Sequence, residues 1–199
     1  MEEVCVMMDE ILEEEFPKEG KLNDGTTCIV RLLTSDDADL LYTFFQDIPR
    51  EDRLFLRDDV SDRSVIDGWC REMDYDIVIP IVAEVGDCIV CEGSLHRERR
   101  GWMSHIGKVR IAVHPDYRRR GIAAIVMKEM IEIALHTGSV EQVVSECMTN
   151  QAGAIRMCEN AGFTRRAVLP GYVRDLSGDM HDLVILSYAL RDEEFHGLD

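Results

Sequence analysis

Residues 108 to 124 read Lys108-Val-Arg-Ile-Ala-Val-His-Pro-Asp-Tyr-Arg-Arg-Arg-Gly-Ile-Ala-Ala124, and the folding of this stretch governs the reading of the rest. Val109, Ile111 and Val113 alternate with Arg110, Ala112 and His114, the period of two of a strand with one apolar face. Pro115 has no N–H to give a ladder, so the strand stops there. From Ile122 onward, Ile122, Val126, Met130 and Ile133, flanked by Ala123, Met127 and Ala134, recur at helical spacing. Lys128, Glu129, Glu132 and His136 fall between them, and Gly138 is the stop. Between strand and helix lies Arg118-x-x-Gly121-x-Ala123. A helix start presents unpaired N–H groups and a partial positive charge, so main chain alone can hold a diphosphate there if no side chain blocks the approach. Gly121 and Ala123 keep it open, and Arg118, Arg119 and Arg120 set three cations beside it. With one glycine the turn is not a dinucleotide Gly-x-Gly-x-x-Gly, and without Gly-Lys-Ser/Thr it is not a Walker loop.

Those three arginines oppose the charge of the whole. The 199 residues, a length suited to one domain, hold 22 basic and 39 acidic side chains, a net of −17. Such a balance repels nucleic acid and anionic membrane and favours cationic partners such as polyamines, basic protein segments or aminoglycosides. No apolar run approaches the ~18 residues of a membrane span, and Met1-Glu2-Glu3 lacks the basic region of a signal peptide, so a cytoplasmic protein is expected. The seven cysteines, at 5, 28, 70, 88, 91, 147 and 158, show no pairing pattern and suit reduced thiols. Cys88 and Cys91 have metal-like spacing, but in a strand positions three apart face opposite sides, and no metal site is expected.

Working outward, residues 2–16 place Val4, Met7, Met8, Ile11 and Leu12 at helical spacing among glutamates. This amphipathic helix offers its apolar face to the domain or to a second copy of the chain, as in a homodimer. Residues 17–25 read as a polar linker, so that 1–25 stand apart from a domain over 26–190. Residues 26–33 form a first strand; Thr34 or Ser35 then caps a helix with Ala38, Leu41, Phe44 and Phe45 on one face. Residues 50–74 contain a second helical region with Val65, Ile66, Trp69 and Met73. Ile77 to Val85 and Cys88 to His96 are strands joined by the two-residue hairpin Gly86-Asp87, with Pro80 implying an edge or a bulge. A basic loop, 97–105, leads to the quoted strand. After the long helix come a strand over 140–147, parallel to the quoted one, a helix over 150–161, and strands over 163–169 and 181–190 around a loop. Residues 191–199 are a polar tail.

Arg118, Gly121 and Ala123, preceded by Val113-His114-Pro115-x-Tyr117, resemble the acyl-CoA-binding motif of the GNAT superfamily of N-acetyltransferases, Gln/Arg-x-x-Gly-x-Gly/Ala. Asn150-Gln151-Ala-Gly-Ala-Ile-Arg-Met-Cys158-Glu-Asn-Ala-Gly162-Phe163 resembles its second signature, with Gln151 where the asparagine usually sits and Asn150 one place early. The opening, Ile29-Val-Arg31 before an Asp-capped helix, is also family-like. The resemblance implies an α/β (α+β) fold: a mixed, mostly antiparallel twisted sheet of about seven strands, its parallel fourth and fifth splayed apart, flanked by helices and with the N-terminal helix added. It implies acetyl-CoA as cofactor. The phosphates would lie on Arg118, Arg119, Arg120, Gly121, Ile122 and Ala123, the pantetheine arm on main chain of Ile111, Ala112 and Val113, and further contacts on Asn150 and Gln151. Phe55, Trp69 and Tyr75 fall where the family walls its acceptor site.

Amine acetylation needs a neutral amine, a stabilised oxyanion and a departing thiolate. Glu146 falls where ribosomal-protein acetyltransferases of the superfamily carry a catalytic glutamate and is the first candidate base, with Glu84 the alternative. The family's acid is a tyrosine, and Cys158 stands there instead; Tyr172 would reach in from the other side. The reading is direct acetyl transfer to a primary amine, a protein lysine or N-terminus or a small cation, and the rival is a non-catalytic acyl-CoA-binding regulatory domain.

Overall fold

A computed structural model of the chain describes residue 12 and residues 14–190. The expected helix over 2–16 lies outside the described residues apart from its last turn, where Leu12 is buried, and the tail over 191–199 lies outside them altogether. One sheet runs through the molecule. Its strands are β1 (Lys18–Lys21), β2 (Thr27–Leu32), β3 (Val78–Val85), β4 (Cys88–Arg97), β5 (Ile106–Val113), β6 (Gln142–Met148), β7 (Thr164–Arg174) and β8 (Met180–Ala189). They lie in the order β1-β2-β3-β4-β5-β6-β8-β7. All neighbours are antiparallel except β5 and β6, which are joined through a helix and run parallel.

The helices are α1 (Ala38–Asp47), α2 (Arg50–Arg53), α3 (Arg63–Arg71), α4 (Ile122–His136) and α5 (Ala152–Asn160). The apolar stripe of α4, Val126, Met127, Met130 and Ile133, buries itself against Cys91, Leu95, Val109 and Val143 of the sheet. Full burial of one such side chain contributes about 1.5–3 kcal/mol. The helix sits so close that a Cβ on Gly93 would stand 2.5 Å from Val126 Cγ1, so only glycine fits there. On the opposite face α1 and α3 lay Leu41, Phe44, Phe45, Ile66 and Cys70 over Val82, Ile89 and Ala112. The start of α1 is pinned by Asp37, which accepts from Thr34 N–H at 2.7 Å and pairs with both arms of Arg31, itself bridged to Glu84. Burial of Asp37 costs less for that reason.

The structure departs from the sequence reading in three places. The segment read as linker carries β1, an eighth strand whose Lys-Glu-Gly-Lys has no apolar alternation because it is an edge paired on one side only. Pro80 is neither on an edge strand nor in the bulge, which falls between Ala83 and Glu84. It lies just past Ile81, the last β3 residue that β2 pairs, so its missing N–H deprives no ladder. Finally, β7 continues through residues 170–174, which the sequence reading placed in the loop after 169; the register irregularity between Leu169 and Val173 absorbs the extra residues.

Candidate active site

The parallel pair comes apart. Pairing between β5 and β6 runs from Ile106 opposite Gln142 to Val109 opposite Ser145 and stops, although β5 continues to Val113 and β6 to Met148. His114 N–H donates to Val90 on the β4 side at 2.9 Å, so by antiparallel alternation Ala112 also turns its peptide to β4, while Ile111 and Val113 present theirs to the gap. Of the three residues expected to hold a pantetheine arm, two therefore line the open edge. The Val113 carbonyl accepts from Arg118 Nε at 3.3 Å, which leaves N–H donors facing the gap.

The gap opens toward the turn before α4. Gly121 is the N-cap with φ 91°, a left-handed conformation that costs L side chains about 1–2 kcal/mol. A Cβ there would also meet Asn23 Oδ1 at 2.8 Å. The first N–H groups of α4 have no side-chain cap. The β1–β2 hairpin braces this turn from below: Asn23 N–H donates to the Arg120 carbonyl at 2.9 Å, and Asp24 pairs with the Arg120 guanidinium at 2.6 Å. Arg118 pairs with Asp52 at 2.7 Å, and Arg119, with φ 61°, is the one non-glycine with positive φ among the described residues. An uncapped helix start, a glycine that brings no side chain to it and the neighbouring arginines fit a diphosphate. Gln151 at the start of α5 accepts from Met148 N–H at 2.8 Å and is thereby a helix-entry brace, while Asn150 is exposed beside it.

The sheet face beneath α1 and α3 carries a polar strip beside their apolar cover. Glu92, Ser94 and His96 alternate along β4, opposite Ala112, Arg110 and Lys108 of β5. Glu92 lies between Val82 and Ala112, both under that cover, and this burial pushes its carboxyl up to about 7 against the pull of the Ser94 hydroxyl and Arg110. His96 Nε2 lies 3.1 Å from Ser94 Oγ, and burial with Arg110, Arg57 and Lys108 nearby lowers the ring to about 4. Glu146, beside the gap, has both oxygens engaged, one by Lys108 Nζ at 3.1 Å and one by Arg57. Glu84, the alternative base, is committed to Arg31.

Cys158 lies inside the core at 1% exposure, its thiol donating to Ser145 Oγ at 3.4 Å. The Cys147 thiol lowers the pKa of Cys158 by hydrogen bonding and raises its own. Tyr172 is 66% exposed on β7 rather than in a loop. Among the aromatic candidates Phe55 sits edge-on to His181, at 5.9 Å, which Asp175 holds at 2.7 Å, and Leu176 N–H donates to the Leu54 carbonyl; the β7–β8 hairpin thus clamps the segment after α2. Trp69 packs on Phe45 at the rim of the cover, and the Tyr75 hydroxyl donates to the Leu33 carbonyl. Glu92 and Arg110 were missed by sequence reasoning. The available signal was a single carboxylate in the otherwise apolar run Cys88-Ile-Val-Cys-Glu92-Gly.

A family model described as the acetyltransferase (GNAT) family matches residues 39–163. N-alpha-acetyltransferase 30 of Xenopus laevis is 34% identical over 79 residues, which span 39% of this chain and only 27% of that protein's length. Solved structures share the fold. The GNAT domain of S. lividans PAT superposes with a TM-score of 0.73 at 17% identity, over 87% of this chain and 96% of that one. The ribosomal-protein-S5-alanine acetyltransferase from Vibrio fischeri gives 0.73 at 16%, over 83% and 94%. The putative acetyltransferase yncA from Salmonella typhimurium, with its cofactor acetyl-CoA, gives 0.69 at 17%, over 84% and 96%.

Proposed function

The chain belongs to the acetyltransferase (GNAT) family, and from that premise we propose that it transfers the acetyl group of acetyl-CoA directly to a primary amine. The observation that carries the reading is the gap beyond Val109 and Ser145, which joins the Gly121 turn at one end to the Glu92–His96 strip on the other face of the sheet. Bound acetyl-CoA supplies an activated acyl carbon and a thiolate leaving group. The N–H groups of Gly121, Ile122 and Ala123, with Arg119 and Arg120, hold its phosphates. Ile111 and Val113, whose N–H groups face the gap, would hold the arm, and a main-chain donor there would stabilise negative charge on an acyl oxygen.

An ammonium of pKa ~10 must lose a proton before it can attack. Glu92, held near 7, is a better matched base than a carboxylate in its ordinary range, and among the described residues no cation is ion-paired with it. We assign it that step, directly or through one water. Glu146 instead fixes Lys108 and Arg57 beside the gap. A thiol of pKa ~8.5 leaves without full protonation, so no acid is required of Cys158, which the core encloses. The name of the Xenopus relative, an N-alpha-acetyltransferase, favours an α-amine acceptor.

Release of free thiol from acetyl-CoA over a panel of amines and peptides tests the reading. Turnover with at least one amine is expected. Calorimetric binding of acetyl-CoA without thiol release from any of them would replace it with a non-catalytic acyl-CoA-binding domain.

A further inference from the structure

Three cations approach the acceptor side of the gap, and they are not equivalent. Lys108 and Arg57 are both spent on Glu146. Arg110, on the first residue of β5 beyond the paired stretch, makes no ion pair among the described residues, and its Nε is buried without a hydrogen-bond partner. Its alternation with Val109 and Ile111, which pack on the α4 side, turns it to the face that carries Glu92 and Ser94. A buried guanidinium donor without a partner costs folding free energy, so the fold gains nothing by keeping it. Burial and Arg57 both disfavour its charge. His96 faces the same cations: burial first, and then Arg110, Arg57 and Lys108, depress its protonation. While Glu92 is protonated, Arg110, Arg57 and Lys108 outnumber Glu146 and Asp58 on this face, in a chain of net −17.

We propose that Arg110 receives a carboxylate carried by the acceptor itself, so that the substrate is an amine with an acidic group a few bonds away rather than a polyamine. This rests on the acetyl-transfer reading of the same site. Glu92 and Arg110 stand in diagonal cross-strand positions, a separation of about 7–8 Å between main chains that their side chains shorten, so one small molecule or one peptide terminus touches both. A carboxylate suits the site better than a phosphate. Glu146 and Asp58 already balance part of the cationic charge, and Glu92 adds a negative charge whenever it acts as base, so a singly charged group is repelled less than a doubly charged one.

The test pairs amines that differ only in the acid: lysine against cadaverine, and peptide amides beginning with glutamate against those beginning with glutamine. Thiol release gives kcat/KM for each. The acidic member of at least one pair should lead by about 10–100-fold, the range of a charge-assisted hydrogen-bonded pair, and which pair responds separates a free amino acid from a peptide terminus. Arg110→Gln should collapse that ratio, Arg110→Lys should restore part of it, and Arg110→Glu should invert it. A ratio near one, or a ratio that Arg110→Gln leaves alone, overturns the proposal. Should no amine release thiol, the Nε–H resonance of Arg110, assigned by its loss in Arg110→Gln, still decides. Saturable displacement by glutarate in the acetyl-CoA-loaded protein upholds the carboxylate site while the acetyl-transfer reading falls, and an unmoved resonance removes both.

Discussion

Gly121→Ala isolates the phosphate turn in a single atom. The methyl group is asked to sit at φ 91°, a conformation that costs an L residue about 1–2 kcal/mol, and 2.8 Å from Asn23 Oδ1. Asn23 can swing its side-chain amide aside, which relieves the contact but not the strain at φ 91°, and that strain is relieved only when the backbone at 121 rotates out of the left-handed region. That rotation turns away the N–H groups that the phosphates need. Loss of one or two charge-assisted bonds of about 1.5–3 kcal/mol in total predicts acetyl-CoA binding weaker by roughly 10–100-fold. Gly138→Ala is the control, because Gly138 has φ 62° and an added methyl would meet nothing within 4 Å. Both variants should lose about 1–2 kcal/mol of stability, a fall in Tm of about 2–4 °C for each kcal/mol in a chain of this size. Only Gly121→Ala should lose the cofactor in isothermal calorimetry. Equal affinity in the two variants would refute the assignment of the turn.

Burial dictates the remaining outcomes. Activity should rise with pH through about 7 as Glu92 loses its proton, and Glu92→Gln should abolish that limb and lower kcat by about 100-fold or more, whereas Glu146→Gln should keep the limb. The same group affects stability with the opposite sense: its folded pKa lies above the unfolded carboxyl value near 4.5, so its contribution is lost as pH climbs from there through 7, and the Tm of wild type relative to Glu92→Gln should fall across that window. Gly93→Ala should cost about 1–3 kcal/mol in urea unfolding, since the added methyl meets Val126 Cγ1 at 2.5 Å and a β-branched side chain on a helix cannot turn aside; an unchanged midpoint would mean that α4 lies looser on β4 than described.

The middle of the sheet was legible because β3 and β4 are apolar runs of strand length joined at Gly86-Asp87, and β5 alternates between apolar and polar residues. The parallel relation of β5 and β6 followed from the helix between them, and the turn at Gly121 from its composition. What escaped had no local signature. β1 is an edge whose four residues read as linker until Thr27–Val30 are laid against them. Arg110 looked like one more exposed polar residue on a half-buried strand, and only the cover supplied by α1 and α3 gives its face an interior. Glu146 was visible as a carboxylate beside the gap, but the residues that occupy it, Lys108 and Arg57, are 38 and 89 positions away. Whole-chain acidity is a sum over 199 residues and carries no information on the charges that surround one side chain such as Arg110.

The β1–β2 hairpin has a bearing on how much of the chain the cofactor turn requires. The segment recognised by the family pattern begins at residue 39, yet the wedge and the counter-ion of the turn, Asn23 and Asp24, come from before it, with Asp24 reaching Arg120 across 96 positions. A fragment trimmed to the recognised segment would keep every letter of the motif and lose its buttress, so the shape of the turn belongs to a distant pair of upstream side chains as much as to the motif.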